Sequence, residues 1–156
     1  MRTLAGAILA ILLGAAAIAQ PPAPPEPYLT RPAISPHGTT IAFAADGAIW
    51  TVPARGGAAS VLVSGPGNPT SPVFSPDGSR LAYTAERDGA ENIFVLNRKT
   101  GAVKRLTFDD GGDELDAWSR DGHWIYFSTT ADNIVYMNSV YRVSADGGTP
   151  MPVTSE

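Results

Sequence analysis

The sequence contains no cysteine and only two histidines in 156 residues. Without cysteine there can be no disulfide, no thiolate metal site and no lipid attachment at a lipobox cysteine, so any folded part is held by its core alone. Also missing are a G-x-S-x-G elbow, an H-E-x-x-H helix and a phosphate-binding glycine loop. Beyond residue 19 no apolar stretch is both long and free of glycine, proline or turn signals, which leaves helices without a place. Basic residues are the scarcer charge, 11 against 15 acidic. Nucleic acid and anionic membrane surfaces both reward lysine and arginine, so neither is an expected partner.

The N-terminus is rich where the rest is poor. Arg2 supplies a short positive region, Leu4 to Gly14 an apolar run, and Ala17 and Ala19 an A-x-A cleavage signal. Residues 1–19 are therefore expected to be a signal peptide cut before Gln20, with the product exported to the periplasm or secreted. The uncharged run from Thr3 to Ala19 is slightly short for a membrane span of ~20 residues, so no membrane association is expected after cleavage. Removing Arg2 leaves ten basic residues against fifteen acidic ones, a net charge near −5. Residues 20–27, "QPPAPPEP", read as an extended proline-rich linker.

Residues 28–156 are built by repetition. Three turns recur at spacings of 40 and 44 residues: "SPHG" from Ser35, "SPDG" from Ser75 and "SRDG" from Ser119. Each follows a large apolar residue (Ile34, Phe74, Trp118) and precedes an apolar run that opens at Ile41, Leu81 or Ile125. A second set, "IWTVPARGG" from Ile49, "IFVLNRKTG" from Ile93 and "VYRVSADGG" from Val140, aligns without a gap. Leu62, Leu106 and Val153 then occupy equivalent places. In Ser-Pro-Asp-Gly, proline presets φ for a type I turn, aspartate suits the third position, and glycine can take the left-handed conformation that closes a hairpin. The expected fold is all-β: three four-stranded antiparallel propeller blades at about 30–64, 72–108 and 116–155, half of a six-bladed β-propeller. The turns are scaffolding rather than a ligand grip.

The search for chemistry assigns no catalytic, cofactor-binding or metal-binding residue and no cofactor. His37 and His123 fall in or just after two turns of non-adjacent units and read as exposed turn residues rather than a metal pair. The acidic run "DDGGDELD", Asp109 to Asp116, offers five carboxylates for calcium but lacks the alternating ligand spacing of an EF-hand loop, so it reads as a solvated connection. The third unit carries a longer insertion, "TADNIVYMNS" from Thr130 to Ser139. It reads as a longer hairpin packing on its own blade, with contact to a substrate or neighbouring domain as the alternative.

Phe74 to Phe108, with its S-P-D-G turn, "RDG" and final "RLT", resembles the WD-repeat-like blade of TolB and of the propellers of tricorn-type and prolyl oligopeptidase-type serine peptidases. The minimal turn before "IWTVPA" and the insertion in the third unit resemble the first and third blades of the tricorn type. That resemblance implies a six-bladed propeller followed by a second propeller, a PDZ-like domain and a serine peptidase domain holding the catalytic residues. It makes this stretch a non-catalytic segment that guides or filters peptides, or docks other domains. A TolB-like protein-binding propeller, or the propeller of a prolyl oligopeptidase-like hydrolase, is the alternative. Propellers close with about four to eight blades, so three blades leave two faces open, at a cost on the order of 10 kcal/mol per face. The expected partners are therefore peptide or protein, with the missing blades of a longer chain, or self-association, closing the ring.

Overall fold

The computed structural model describes residues 29–130 and 139–154. Residues 1–28, which contain the expected signal peptide and linker, and residues 131–138 of the third-unit insertion lie outside the described part. The strands begin from the repeated turns. In the second unit the Gly78 amide donates to the Ser75 carbonyl at 2.8 Å, and the Ser75 amide donates to the Arg80 carbonyl at 3.0 Å. The Ser75 hydroxyl donates to Asp77 at 2.6 Å and accepts from the Arg80 amide at 2.9 Å. Ser79 adds an amide and a hydroxyl to the same carboxylate. Hydrogen bonds from Ser75 and then Ser79 pull the Asp77 pKa down to about 2. Ser119 and Asp121 repeat the arrangement. His37 replaces the aspartate in the first turn, where the Ser35 hydroxyl accepts from the Thr39 and Thr40 amides.

The first sheet contains β1 (Thr30–Ile34), β2 (Thr40–Ala45), β3 (Ala48–Pro53) and β4 (Ser60–Ser64). The second contains β5 (Thr70–Phe74), β6 (Arg80–Arg87), β7 (Ala90–Asn97) and β8 (Val103–Arg105). The third contains β9 (Asp113–Trp118), β10 (Trp124–Thr129), β11 (Ser139–Ser144) and β12 (Met151–Pro152). Every ladder is antiparallel and each sheet runs in chain order. Asp46 and Asp88 take positive φ in the β2–β3 and β6–β7 turns, as a two-residue type I′ hairpin requires. β1 touches β5 and β5 touches β9, whereas β4, β8 and β12 touch none of one another. The three sheets fan out from their first strands as propeller blades do.

Alternation along each strand decides what lies between the blades. Leu81 and Tyr83 of β6, with Phe94 and Leu96 of β7, pack against Ala42, Ile49 and Val63 of the first sheet. Ala82, Ile93, Val95 and Leu106 point the other way, against Leu115, Ile125, Phe127 and Val143 of the third. The Tyr83 and Phe94 rings stack with centroids 5.5 Å apart. Each valine, leucine, isoleucine or phenylalanine among them contributes roughly 1.5–3 kcal/mol when fully buried. The middle sheet is thus covered on both faces. In the first sheet, Ile41, Phe43, Trp50 and Val52, on the face away from the second, are half-buried, and Val61 is 48% exposed. Trp124, Tyr126 and Arg142 of the third sheet are likewise half-buried on its far face, with the Arg142 guanidinium 4.5 Å above the Trp124 ring.

Polar ties reinforce the second interface. Arg80 donates to the Asp146 carboxylate at 3.0 Å and to the Gly122 carbonyl at 2.6 Å, and lies 5.0 Å above the Trp118 ring. Lys104 reaches the Asp146 carbonyl, and the Trp118 indole donates to the Val73 carbonyl at 3.1 Å. The turns themselves stack. A Cβ at Gly78 would meet Pro36 at 3.4 Å, and one at Gly122 would meet Pro76 at 3.6 Å. Gly78 also has φ +70°, where a β-branched residue is strained. Gly78→Val is therefore expected to cost about 2 kcal/mol. An unchanged thermal melting curve would remove the turn from the list of determinants.

Candidate functional site

A cavity of about 500 Å³ opens on the rim opposite the serine turns, where all three blades come together. β1 and β5 reach it through bulges that interrupt their pairing with β2 and β6. Arg31 and Ser71 occupy equivalent places in those bulges, take φ of 49° and 51°, and both line the cavity.

The β6–β7 turn forms one wall, and Arg105 of β8 fixes it. The Arg105 guanidinium donates to the Asp88 carboxylate at 2.7 Å and to the Asn92 side-chain oxygen at 2.7 Å, while its Nε donates to the Thr107 carbonyl at 2.8 Å. Asn92 is fully buried. The "RDG" and "RLT" motifs are thus two ends of one hydrogen-bonded unit, which places Glu91 at the cavity.

The connection from β8 to β9 forms the opposite wall. Thr129 donates to the Gly112 carbonyl at 3.2 Å and Thr130 to the Gly111 carbonyl at 2.9 Å. The Asp109 carboxylate accepts from the Gly111 amide at 3.2 Å. Asp110, Asp113 and Glu114 line the cavity from this wall. Arg31 is the one cation among the described lining residues, 3.9 Å from Glu114 with both side chains more than half exposed. A pair so exposed is worth little.

Asp113 stands apart from its acidic neighbours. The expectation that residues 109–116 form a solvated connection is corrected here: Asp113 through Asp116 belong to β9, and Asp113 is 1% exposed. It shares the inward phase of its strand with buried Leu115, which carries it under the rim. Among the described residues neither of its oxygens has a hydrogen-bond partner, and the buried Thr84 hydroxyl of β6 has none either. Burial pushes the Asp113 pKa up from 3.8 to about 6, with the Asp109 charge adding to the effect. The Thr107 and Thr129 hydroxyls and the Arg105 charge pull it partway back, without either hydroxyl closing a hydrogen bond of good geometry. Buried polar atoms without partners are rare in folded chains, and a buried carboxyl with a displaced pKa at a cavity marks a candidate binding site.

The displaced pKa sets a pH dependence. The folded-state value lies above the unfolded one, so the folded chain holds the proton more tightly between pH 4 and 6, and stability falls as pH rises through that window. A move from 3.8 to about 6 corresponds to roughly 3 kcal/mol. The open side of the cavity screens part of this, so a loss of about 1–2 kcal/mol is expected. Asp113→Asn should flatten the slope and melt no lower than the parent at pH 7. A steeper slope in that variant would contradict the assignment.

Among the described residues no three acidic, histidine or cysteine side chains converge to hold a metal ion. The two histidines are exposed and stand on the opposite rim, His37 in the β1–β2 turn and His123 at the end of the β9–β10 turn. Ser71 and Ser128 at the cavity therefore have no imidazole beside them. Ser128 instead donates to Asp116 at 2.8 Å. This geometry can accept hydrogen bonds and attract positive charge, and among the described residues no imidazole stands beside its serines to act as a base. The sequence did carry a sign of Asp113: an aspartate in phase with an apolar residue of an alternating strand. Nothing local marked Thr84, because its isolation depends on the third blade.

Known proteins share this architecture. Residues 26–156 match the tricorn protease N-terminal beta propeller domain. Tricorn protease homolog 1 of Streptomyces coelicolor is 35% identical over 133 residues, which is 84% of this chain and 12% of that protein. The crystal structure of the tricorn protease superposes with a TM-score of 0.72 at 26% identity, over 81% of this chain and 13% of that one. TolB from Acinetobacter baumannii gives 0.70 at 25% identity, over 83% and 33%. The chain spans well under half the length of these relatives. Blade turns, fanned sheets and a match that spans all the described residues agree: the chain belongs to the tricorn protease N-terminal beta propeller family.

Proposed function

We propose that the chain is the non-catalytic propeller segment of an exported tricorn-type serine peptidase, which guides or filters peptides for an active site in another part of a longer protein. The family match over residues 26–156 carries this reading. The cavity supports it, since it offers hydrogen-bond acceptors and negative charge to a peptide. The half-buried far faces of the first and third sheets are where further blades of a six-bladed ring, or a second copy, would pack. Export rests on Arg2, the apolar run and the A-x-A signal. N-terminal sequencing of the mature protein from the cell exterior should begin at Gln20.

An antibody against the described residues, used to precipitate antigen from the source cells, tests the reading. The expected antigen runs far above 16.3 kDa and brings down peptidase activity that a serine-directed inhibitor abolishes. A product below that mass with no activity would overturn it. The superposition on TolB favours a second reading, a protein-binding propeller with no enzyme attached. A larger antigen that lacks peptidase activity would favour that one.

A further inference from the structure

We infer that the rim cavity binds the primary ammonium group of a peptide, with the Asp113 carboxylate and the Thr84 hydroxyl as its buried acceptors. This rests on the reading of the segment as a guide for peptides, and it names the part of the peptide that is held.

Asp113 and Thr84 are each 1% exposed, line the same cavity and have oxygens without a partner among the described residues. An ionised carboxylate has only acceptor sites, so what Asp113 lacks is a donor. Glu91, Asp110 and Glu114 add negative charge around it, against the loosely paired Arg31. The missing group should therefore be cationic and rich in donors. A calcium ion fits poorly, because it takes six to eight oxygens and no three acidic side chains converge among the described residues. An ammonium is a compact charge with three donors. Two carboxylate oxygens and a hydroxyl are three acceptors.

The surroundings suit a peptide behind that ammonium. The volume of about 500 Å³ lies in the range of small-ligand sites. Carbonyls at Gly111 and Gly112 are already bonded to the Thr130 and Thr129 hydroxyls, so that wall is held in place before a ligand arrives. A desolvated ammonium beside Asp113 would also draw the carboxyl back to its ionised form. Two sources carry the same group, the chain N-terminus and a lysine side chain.

Calorimetric titration at low salt of the intact protein that carries this segment, its peptidase blocked with a serine-directed inhibitor, separates the outcomes. The probes are tetra-alanine amide, its N-acetyl form and an N-acetyl tetrapeptide amide with one lysine. Tetra-alanine amide is expected to bind, with acetylation weakening it at least tenfold. Asp113→Asn should do the same while melting no lower than the parent at pH 7, and Thr84→Val should weaken binding several-fold. Recovery by the lysine peptide assigns the site to any primary ammonium, and no recovery assigns it to the N-terminus. Equal binding of free and acetylated tetra-alanine overturns the ammonium site and leaves the guiding role intact. Binding of none of the three peptides overturns the inference, and the precipitated peptidase activity then decides the family role independently. Heat from calcium chloride alone, abolished in Asp113→Asn with no peptide response, would make the cavity an ion site and also overturn it.

Discussion

Phe127→Ala is expected to cost about 3–5 kcal/mol, a large share of the stability of any single domain. Phe127 is 1% exposed and lies among Ala82, Ile93, Val95 and Leu115 between the second and third blades, with the Tyr141 ring 5.9 Å away. Truncation removes the transfer free energy of a ring and leaves a cavity whose walls belong to two separate sheets. Those walls close only if the sheets move together. That motion would strain the Trp118–Val73 and Arg80–Asp146 ties. The melting temperature should fall by roughly 10–25 °C. Phe127→Leu, which keeps most of the volume, should cost less than half as much. Equal losses from the two variants would mean that ring volume is not what holds the interface.

Gly67→Ala is expected to be comparably damaging, although it adds a single methyl group. Gly67 lies in the β4–β5 connection with φ +90°, and its carbonyl accepts from the Glu86 amide at 2.7 Å. A Cβ there would overlap the Glu86 carbonyl oxygen outright and stand 3.1 Å from the Glu86 nitrogen. Both partners are main chain, so no rotamer change relieves the overlap. Either the hydrogen bond breaks or the connection lifts off the end of β6. Backbone strain of about 1–3 kcal/mol adds to overpacking of a similar size. A total near 3–5 kcal/mol should appear as a lower denaturant midpoint. Gly65→Ala, two residues away with nothing near its added Cβ, is the control. If the two variants melt alike, contact with Glu86 is not the reason for glycine at position 67.

Much of this is legible in the sequence. The Ser35, Ser75 and Ser119 turns, the alternation in β6 and the hairpin aspartates all follow from local chemistry, and local chemistry is what a repeat copies. The rest depends on where one repeat meets another. Gly67 reads as an ordinary loop glycine until β6 of the next blade is laid against it. Arg31 and Ser71 read as plain strand residues because their bulges arise from how β1 and β5 converge at the hub. Asp113 was hidden by its company: in a run of five carboxylates, solvent is the simplest neighbour to assume. Its burial comes in part from β10, where Thr129 pairs with it from beyond the next turn, outside any short window around the acidic run.

The middle blade, covered on both faces, gives the chain an order of opening. In an array where each unit contacts only its neighbours, the ends fray first and the interior follows. β6 and β7 then form the last cooperative unit to open, and their amides should exchange with solvent more slowly than those of β2, β3, β10 or β11. A protease cutting at the periphery would pare the chain toward Arg80–Asn97 rather than sever it there. Contacts that cover either outer face would slow exchange progressively from that side inward, so the gradient of protection along the chain would report which neighbour has arrived.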